Sequence, residues 1–251
     1  MITQPLLLGL LPPYSILLTC SAAVGLGLSA WMVPEQKKRT IDAGLGILLI
    51  SLIGARIGYI LIDLSYFRNN FSLIPQFWLG GLTWPGALTG AGLAFLAIHL
   101  IWKQSITDLA DNILPLLGTV TVAIWLTGWG AGIGYGPPTE GWFGIPVRDI
   151  FGIVENRWPL PIIGAIFSAG WIAAIILFPF KRQNIIPGLR AILGTTGIVL
   201  INGVISLFRV NPAPQLWGIR GETWFTLALI VISFVYYLSR REKKSNEKTT
   251  S

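Results

Sequence analysis

Apolar residues run along this chain in long blocks, separated by short connections that are either basic or rich in glycine, proline and tryptophan. A helix crossing a bilayer needs about 20 mostly apolar residues. Seven stretches qualify: residues 14–33, 43–64, 82–102, 109–129, 159–180, 189–208 and 222–238. The shorter run before them ends at Pro12-Pro13 and predicts an interfacial segment. No internal repeat and no linker interrupts the series. The pattern predicts an all-α integral membrane protein of about seven transmembrane helices, a single polytopic domain over residues 1–251.

The polar positions orient these helices. Twelve of the 18 lysines and arginines fall on one set of alternating connections, among them Lys37, Lys38, Arg39, Lys103, Lys181, Arg182 and Arg190. The opposite set carries only Arg68, Arg148, Arg157, Arg209 and Arg220. Cytoplasmic loops are enriched in Lys and Arg, so the N-terminus is expected outside and the C-terminus inside. Residues 240–251 then form a basic cytoplasmic tail, a stop signal suited to anionic lipid. Seven tryptophans (Trp78, Trp84, Trp129, Trp142, Trp158, Trp217 and Trp224) lie at or near the outer side, where indole rings anchor in the headgroup layer. Residues 130–157 hold a dense set of Gly, Pro and aromatic positions and predict a small irregular outer head over the bundle. Non-helical backbone there must be solvated or buried in protein.

Composition agrees. Hydrophobic residues make up 53% and charged residues 12%, with a mean hydropathy of +0.68. That excludes an ordinary soluble enzyme, and it assigns the net charge of +7 to topology rather than to nucleic acid. A single cysteine, Cys20, excludes an intramolecular disulfide framework, and its apolar setting suits packing. The first residues lack the basic start and small-residue cleavage site of a signal peptide, so the first apolar segment is expected to stay attached.

Chemistry is sparse. Arg56 is the one basic residue inside a span, in Gly54-Ala55-Arg56-Ile57-Gly58-Tyr59. An intramembrane charge must face protein, a cavity or the headgroups. Two roles stay open for it: a cation for a lipid phosphate, or an ion pair with Asp63 or Asp111. Asp108 and Asp111 open the fourth span, where acids offset a helix dipole. His99 has no Cys, His or carboxylate cluster around it in sequence, so neither a metal nor a cofactor is expected. Gly54 with Gly58, and Gly86 with Gly90, make two small-residue faces fit for tight helix packing. The second belongs to Gly80-Gly81-Leu82-Thr83-Trp84-Pro85-Gly86-Ala87-Leu88-Thr89-Gly90, a close-approach backbone at the mouth of the third span.

Taken together, these stretches resemble the prolipoprotein diacylglyceryl transferase family. The segment around Arg56 is similar to the family's G-G-R-I-G-Y, and that around Gly86 to its G-G-M-S-F-H-G-G-L-I-G. Tyr14 stands where the family has a tyrosine opening its first long span. Asp111-Asn112-Ile113-Leu114-Pro115 resembles D-x-x-A-P, and Leu207-Phe208-Arg209 resembles F-F-R. The resemblance implies a multi-pass protein of the bacterial cytoplasmic membrane. It implies transfer of a diacylglyceryl group from phosphatidylglycerol to a prolipoprotein cysteine, with release of glycerol phosphate. Such chemistry needs cations on the phosphate and a base for the thiol.

The chain differs from the family at its polar positions. Pro85 replaces the histidine, and the arginine of G-R-x-G-N-F-x-N-G-E falls on Trp125 or on Gly132, depending on the gap. Arg157 and Pro159 remain of R-H-P-S-Q-x-Y-E, while Asn202 and Ser206 take the places of an arginine and a glutamate. No catalytic set can be named. The residues expected to cradle lipid or substrate are Tyr14, Arg56, Tyr59, Gly86, Glu140, Asn202 and Arg209. Two classes of function follow: a phosphatidylglycerol-dependent transferase of this family, or a catalytically inactive lipid-binding or structural subunit of a larger membrane assembly.

Overall fold

The computed structural model describes residues 13–148, 152–177, 187–211, 215–221, 223–232 and 234–235, without the side chains at 13, 14 and 79. The chain falls into two compact units that meet in sequence at Val120 and Thr121.

The first unit is built from α1 (Pro13–Met32), α2 (Lys37–Ile62), the short α3 (Leu64–Asn69), α4 (Trp84–Trp102), α5 (Ile106–Asn112) and the start of α6 (Leu114–Gly130). On α2, Leu45, Leu49, Ile53, Ile57 and Leu61 are each at least half exposed and recur every fourth residue, which places them in one stripe. Ala43, Ile47 and Ala55 are buried on the same helix. A stripe of large exposed aliphatics with small residues turned inward is the pattern of a helix solvated by lipid, where close backbone packing does the work of association. Ala43, Ile47, Ala94, Ile98, Leu109, Ile113 and Leu116 form the unit's core.

The ends of α4 follow from local chemistry. Pro85 sits in its first turn, where a missing N–H costs nothing. At its other end Lys103 turns left-handed at φ 50°, and the Arg39 guanidinium donates to the Trp102 carbonyl at 2.6 Å while lying 5.9 Å from that ring. A cation on the last carbonyls suits the negative end of the helix. Ser105 caps α5 by accepting from the Asp108 amide, which puts Asp108 in the first turn as expected. The predicted fourth span is not straight: α5 and α6 meet at a 52° bend. Pro115, second in α6, lacks the amide that a continuous helix would need there and crowds the preceding turn.

The second unit continues α6 and adds β1 (Ile145–Arg148), β2 (Val154–Arg157), α7 (Leu160–Leu177), α8 (Leu189–Phe208), β3 (Gln215–Leu216) and β4 (Ile219–Arg220). A further apolar helix, α9 (Thr223–Ile232), closes the described part. Its core gathers Trp125, Leu160, Ala165 and Ile205. Gly164 lets α7 lie against the Trp125 indole; a Cβ there would come within 2.5 Å of the ring. Trp171 is accommodated in the same way at Gly197, and its Nε1 donates to the Leu193 carbonyl at 3.0 Å.

This is a multi-pass helical membrane protein. Among the described residues, five helices are long and apolar enough to cross a bilayer, six with the bent α5–α6 pair, and these coincide with the first six predicted spans. Of the seventh, α9 and positions 234–235 are described, and the continuation lies outside the described residues, as does the basic tail. The region expected to form an irregular outer head is mostly turn and loop and contains one short hairpin. Strands β1 and β2 pair antiparallel, Ile145 opposite Arg157 and Arg148 opposite Val154, and Pro138 bridges to Arg157. Strand pairing is one way that extended backbone satisfies its N–H and C=O groups without a helix.

Candidate functional site

In the first unit, the two predicted glycine faces meet each other. A Cβ on Gly54 would lie 2.5 Å from the Gly86 carbonyl oxygen, and one on Gly86 or Gly90 would strike the backbone of Gly54 or Ile50. The Ala55 carbonyl, already within α2, also accepts from the Thr83 amide at 3.1 Å and the Thr83 hydroxyl at 3.2 Å. Thr83 is the residue before α4, so these bonds set where that helix begins. Gly86 therefore packs helix on helix.

Arg56 stands on the same face of α2. Its Nε donates to Ile74 O at 2.9 Å, and its Nη1 to Gly80 O at 2.8 Å and Gly81 O at 3.1 Å. Its Nη2 donates to Leu73 O. The guanidinium also lies 5.3 Å from the Phe67 ring and 5.9 Å from that of Tyr59. Gly80 and Gly81 adopt φ 93° and 71°, a left-handed backbone that turns both carbonyls toward one cation. A Cβ at Gly81 would come within 2.7 Å of Tyr59 and Arg56 alike. Arg56 donates to loop carbonyls rather than to Asp63 or Asp111. These bonds tie the connection between α3 and α4 to α2, while the half-buried guanidinium keeps one N–H over.

The second unit gathers a different set. Tyr135, 3% exposed, has the Arg157 guanidinium 4.7 Å from its ring centre, and its carbonyl accepts from the Val210 amide at 3.1 Å. Arg157 is 8% exposed and paired with Glu155 at 2.7 Å. The Arg209 guanidinium lies against Gly134, whose φ of 80° brings the backbone close, and its Nε donates to Asn211 Oδ1 at 3.3 Å. Arg220, on β4 and 8% exposed, donates through Nη1 to Asn211 O at 2.8 Å and Arg209 O at 3.3 Å. Three arginines thus converge on residues 134–135 and 209–211. Around them stand Trp158 stacked on Phe208 at 6.2 Å and Phe143 edge-on to Trp158 at 5.6 Å. An arginine cluster walled by aromatic rings can hold a phosphate, since guanidinium matches it with paired N–H groups.

Of the sequence-predicted residues, Arg56, Tyr59 and Gly86 come together in the first unit, and Arg209 joins the cluster in the second. Asn202 is half-buried and donates to the Ile198 carbonyl of its own helix at 3.0 Å. Glu140 is exposed in the loop before Gly141. The side chain of Tyr14, in the first turn of α1, lies outside the described residues. Ser206 donates to Gly203 O and shares a 2.8 Å contact with Thr223. Neither place considered for the missing arginine has room for one. Trp125 is core, and Gly132 at φ 64° abuts the Arg148 carbonyl. Sequence reasoning passed over Tyr135, Arg157, Asn211 and Arg220 as site residues. Arg157 and Tyr135 fell within family-like stretches, whereas nothing in the local pattern marks Arg220.

Known proteins are similar to this chain in sequence. A phosphatidylglycerol–prolipoprotein diacylglyceryl transferase of Listeria monocytogenes (strain HCC23) is 32% identical over 110 residues, which is 41% of this chain and 39% of the relative. One from Listeria welshimeri is 31% identical over the same length, and one from Buchnera aphidicola subsp. Schizaphis graminum 34% over 106 residues. The chain thus spans about two-fifths of the length of the curated relatives it matches. The model of the family described as prolipoprotein diacylglyceryl transferase matches residues 10–239, and the chain belongs to that family.

Proposed function

We propose that this protein binds an anionic phospholipid of the phosphatidylglycerol type in a bacterial cytoplasmic membrane, N-terminus outside, and does not carry out the diacylglyceryl transfer of its relatives. The observation behind this reading is the fate of the polar positions in α8. Where the family resemblance expects an arginine and a glutamate, Asn202 and Ser206 donate to carbonyls of their own helix. Pro85 sits in the first turn of α4 in place of the histidine and carries no proton to exchange. Loss of one base or one transition-state cation slows such a reaction by roughly 10²–10⁴. Groups that act as a unit leave little activity when several are gone. The arginines of the second unit support retention of lipid: buried Arg157 and half-buried Arg209 stay in an aromatic setting that suits a phosphate and its acyl chains.

Expression in bacteria depleted of their own diacylglyceryl transferase tests this directly. Lipidation of a reporter prolipoprotein should remain at background, while mass spectrometry of the gently purified protein should find bound anionic phospholipid. Robust rescue of lipidation would establish transferase activity and overturn the proposal. Purification with a stoichiometric protein partner and no lipid would replace it with the structural-subunit reading.

A further inference from the structure

Arg220 is the unusual member of the cluster. It is 8% exposed, and only Nη1 is engaged, with the carbonyls of Arg209 and Asn211. Its Nε and Nη2 are buried and have no hydrogen-bond partner among the described residues. A buried donor without an acceptor is destabilising, and a buried guanidinium that leaves one edge open is more so. The edge formed by Nε and Nη2 carries two parallel N–H groups, the fork that takes two oxygens of one oxyanion. Nη1 meanwhile fixes the backbone on which Arg209 stands, so the open edge and the Arg209 side chain are held by the same two carbonyls. Trp224 keeps the β3–β4 hairpin in place by donating from Nε1 to Leu216 O at 3.1 Å, and Trp217 packs edge-on against it at 5.7 Å.

We infer that the Nε–Nη2 edge of Arg220 is an oxyanion-binding element, taking the phosphate of a lipid headgroup or a free phosphate. The assignment rests on the proposed lipid-binding role for the choice of phosphate, and it adds a residue that none of the family-like stretches contains. Binding of the anion completes the hydrogen bonding of Arg220 and locks the 209–211 turn to the hairpin.

The test is equilibrium binding to the full chain in phosphatidylcholine nanodiscs, using labelled phosphatidylglycerol in one arm and inorganic phosphate in the other. Wild type should bind one anion per chain saturably. Arg220→Lys, which keeps a charge but loses the fork, should weaken that binding at least tenfold, and Arg220→Gln further. Arg68→Gln removes an exposed cation of the other unit as a control and should leave binding unchanged. A loss confined to the phosphatidylglycerol arm identifies the lipid as the source, and a loss confined to the phosphate arm identifies the free ion. No saturable binding to wild type overturns the inference without recourse to any variant. Equal binding by Arg220→Lys overturns it as well, as does equal weakening by Arg68→Gln, which would mark an adventitious ion only. Should Arg220→Gln fail to fold, Arg220→Lys decides. Reporter lipidation has no part in this experiment, so failure of the anion site and failure of the non-transferase reading are separable.

Discussion

Each unit of the molecule uses an arginine to tie irregular backbone to a helix, but the two are completed differently. Arg56 donates to four carbonyls, those of Leu73, Ile74, Gly80 and Gly81. Arg220 donates to two and leaves Nε and Nη2 buried without partners. The first arrangement uses four of the five N–H groups of its guanidinium, all on loop backbone. The second holds structure and still has an edge to offer. A guanidinium is therefore read by its remaining donors and not by its charge or its depth in the membrane. The same contrast applies to glycine. Gly86 brings two helices into backbone contact, whereas Gly134 brings backbone up to the Arg209 side chain.

Four substitutions separate the two arrangements. Gly86→Leu should have the largest effect, because the added side chain meets the Gly54 backbone, which cannot yield as a flexible side chain would. Overpacking of this kind costs about 3 kcal/mol, and the monodisperse fraction in detergent should collapse. Arg56→Met comes next. Four carbonyls lose a charged donor, for an expected loss of about 2–3 kcal/mol, visible as a lower Tm in detergent and as protease cleavage within residues 70–82. Arg220→Met should be much milder, within about 1 kcal/mol, because it removes a poorly completed buried cation along with its two bonds. Equal destabilisation by the Arg56 and Arg220 variants would erase the distinction between a largely bonded and an open arginine. Pro85→His should have the smallest effect. A first-turn helix position tolerates it within about 0.5 kcal/mol, and reporter lipidation should stay at background because Asn202 and Ser206 still bond to their own helix. Restored lipidation from this change alone would show that one proton carrier was all the site lacked.

Sequence alone determined the multi-pass helical class, the positions of six spans and the two small-residue faces, because these depend on the length of apolar runs and on residue size, which are local. The family was legible too, since Gly54–Tyr59 and Gly80–Gly90 keep their order and spacing. What only the tertiary structure decided was partnership. The Gly54/Gly58 face meets the Gly86/Gly90 face. Arg56 takes loop carbonyls instead of an acid, and Pro115 bends the fourth span by 52°. Tyr135, Arg157, Asn211 and Arg220 lie far apart in sequence and converge through hairpins and turns. Such positions could not have been read in advance, because a hydrogen bond depends on where two groups end up in space, and neither residue carries a sign of the other.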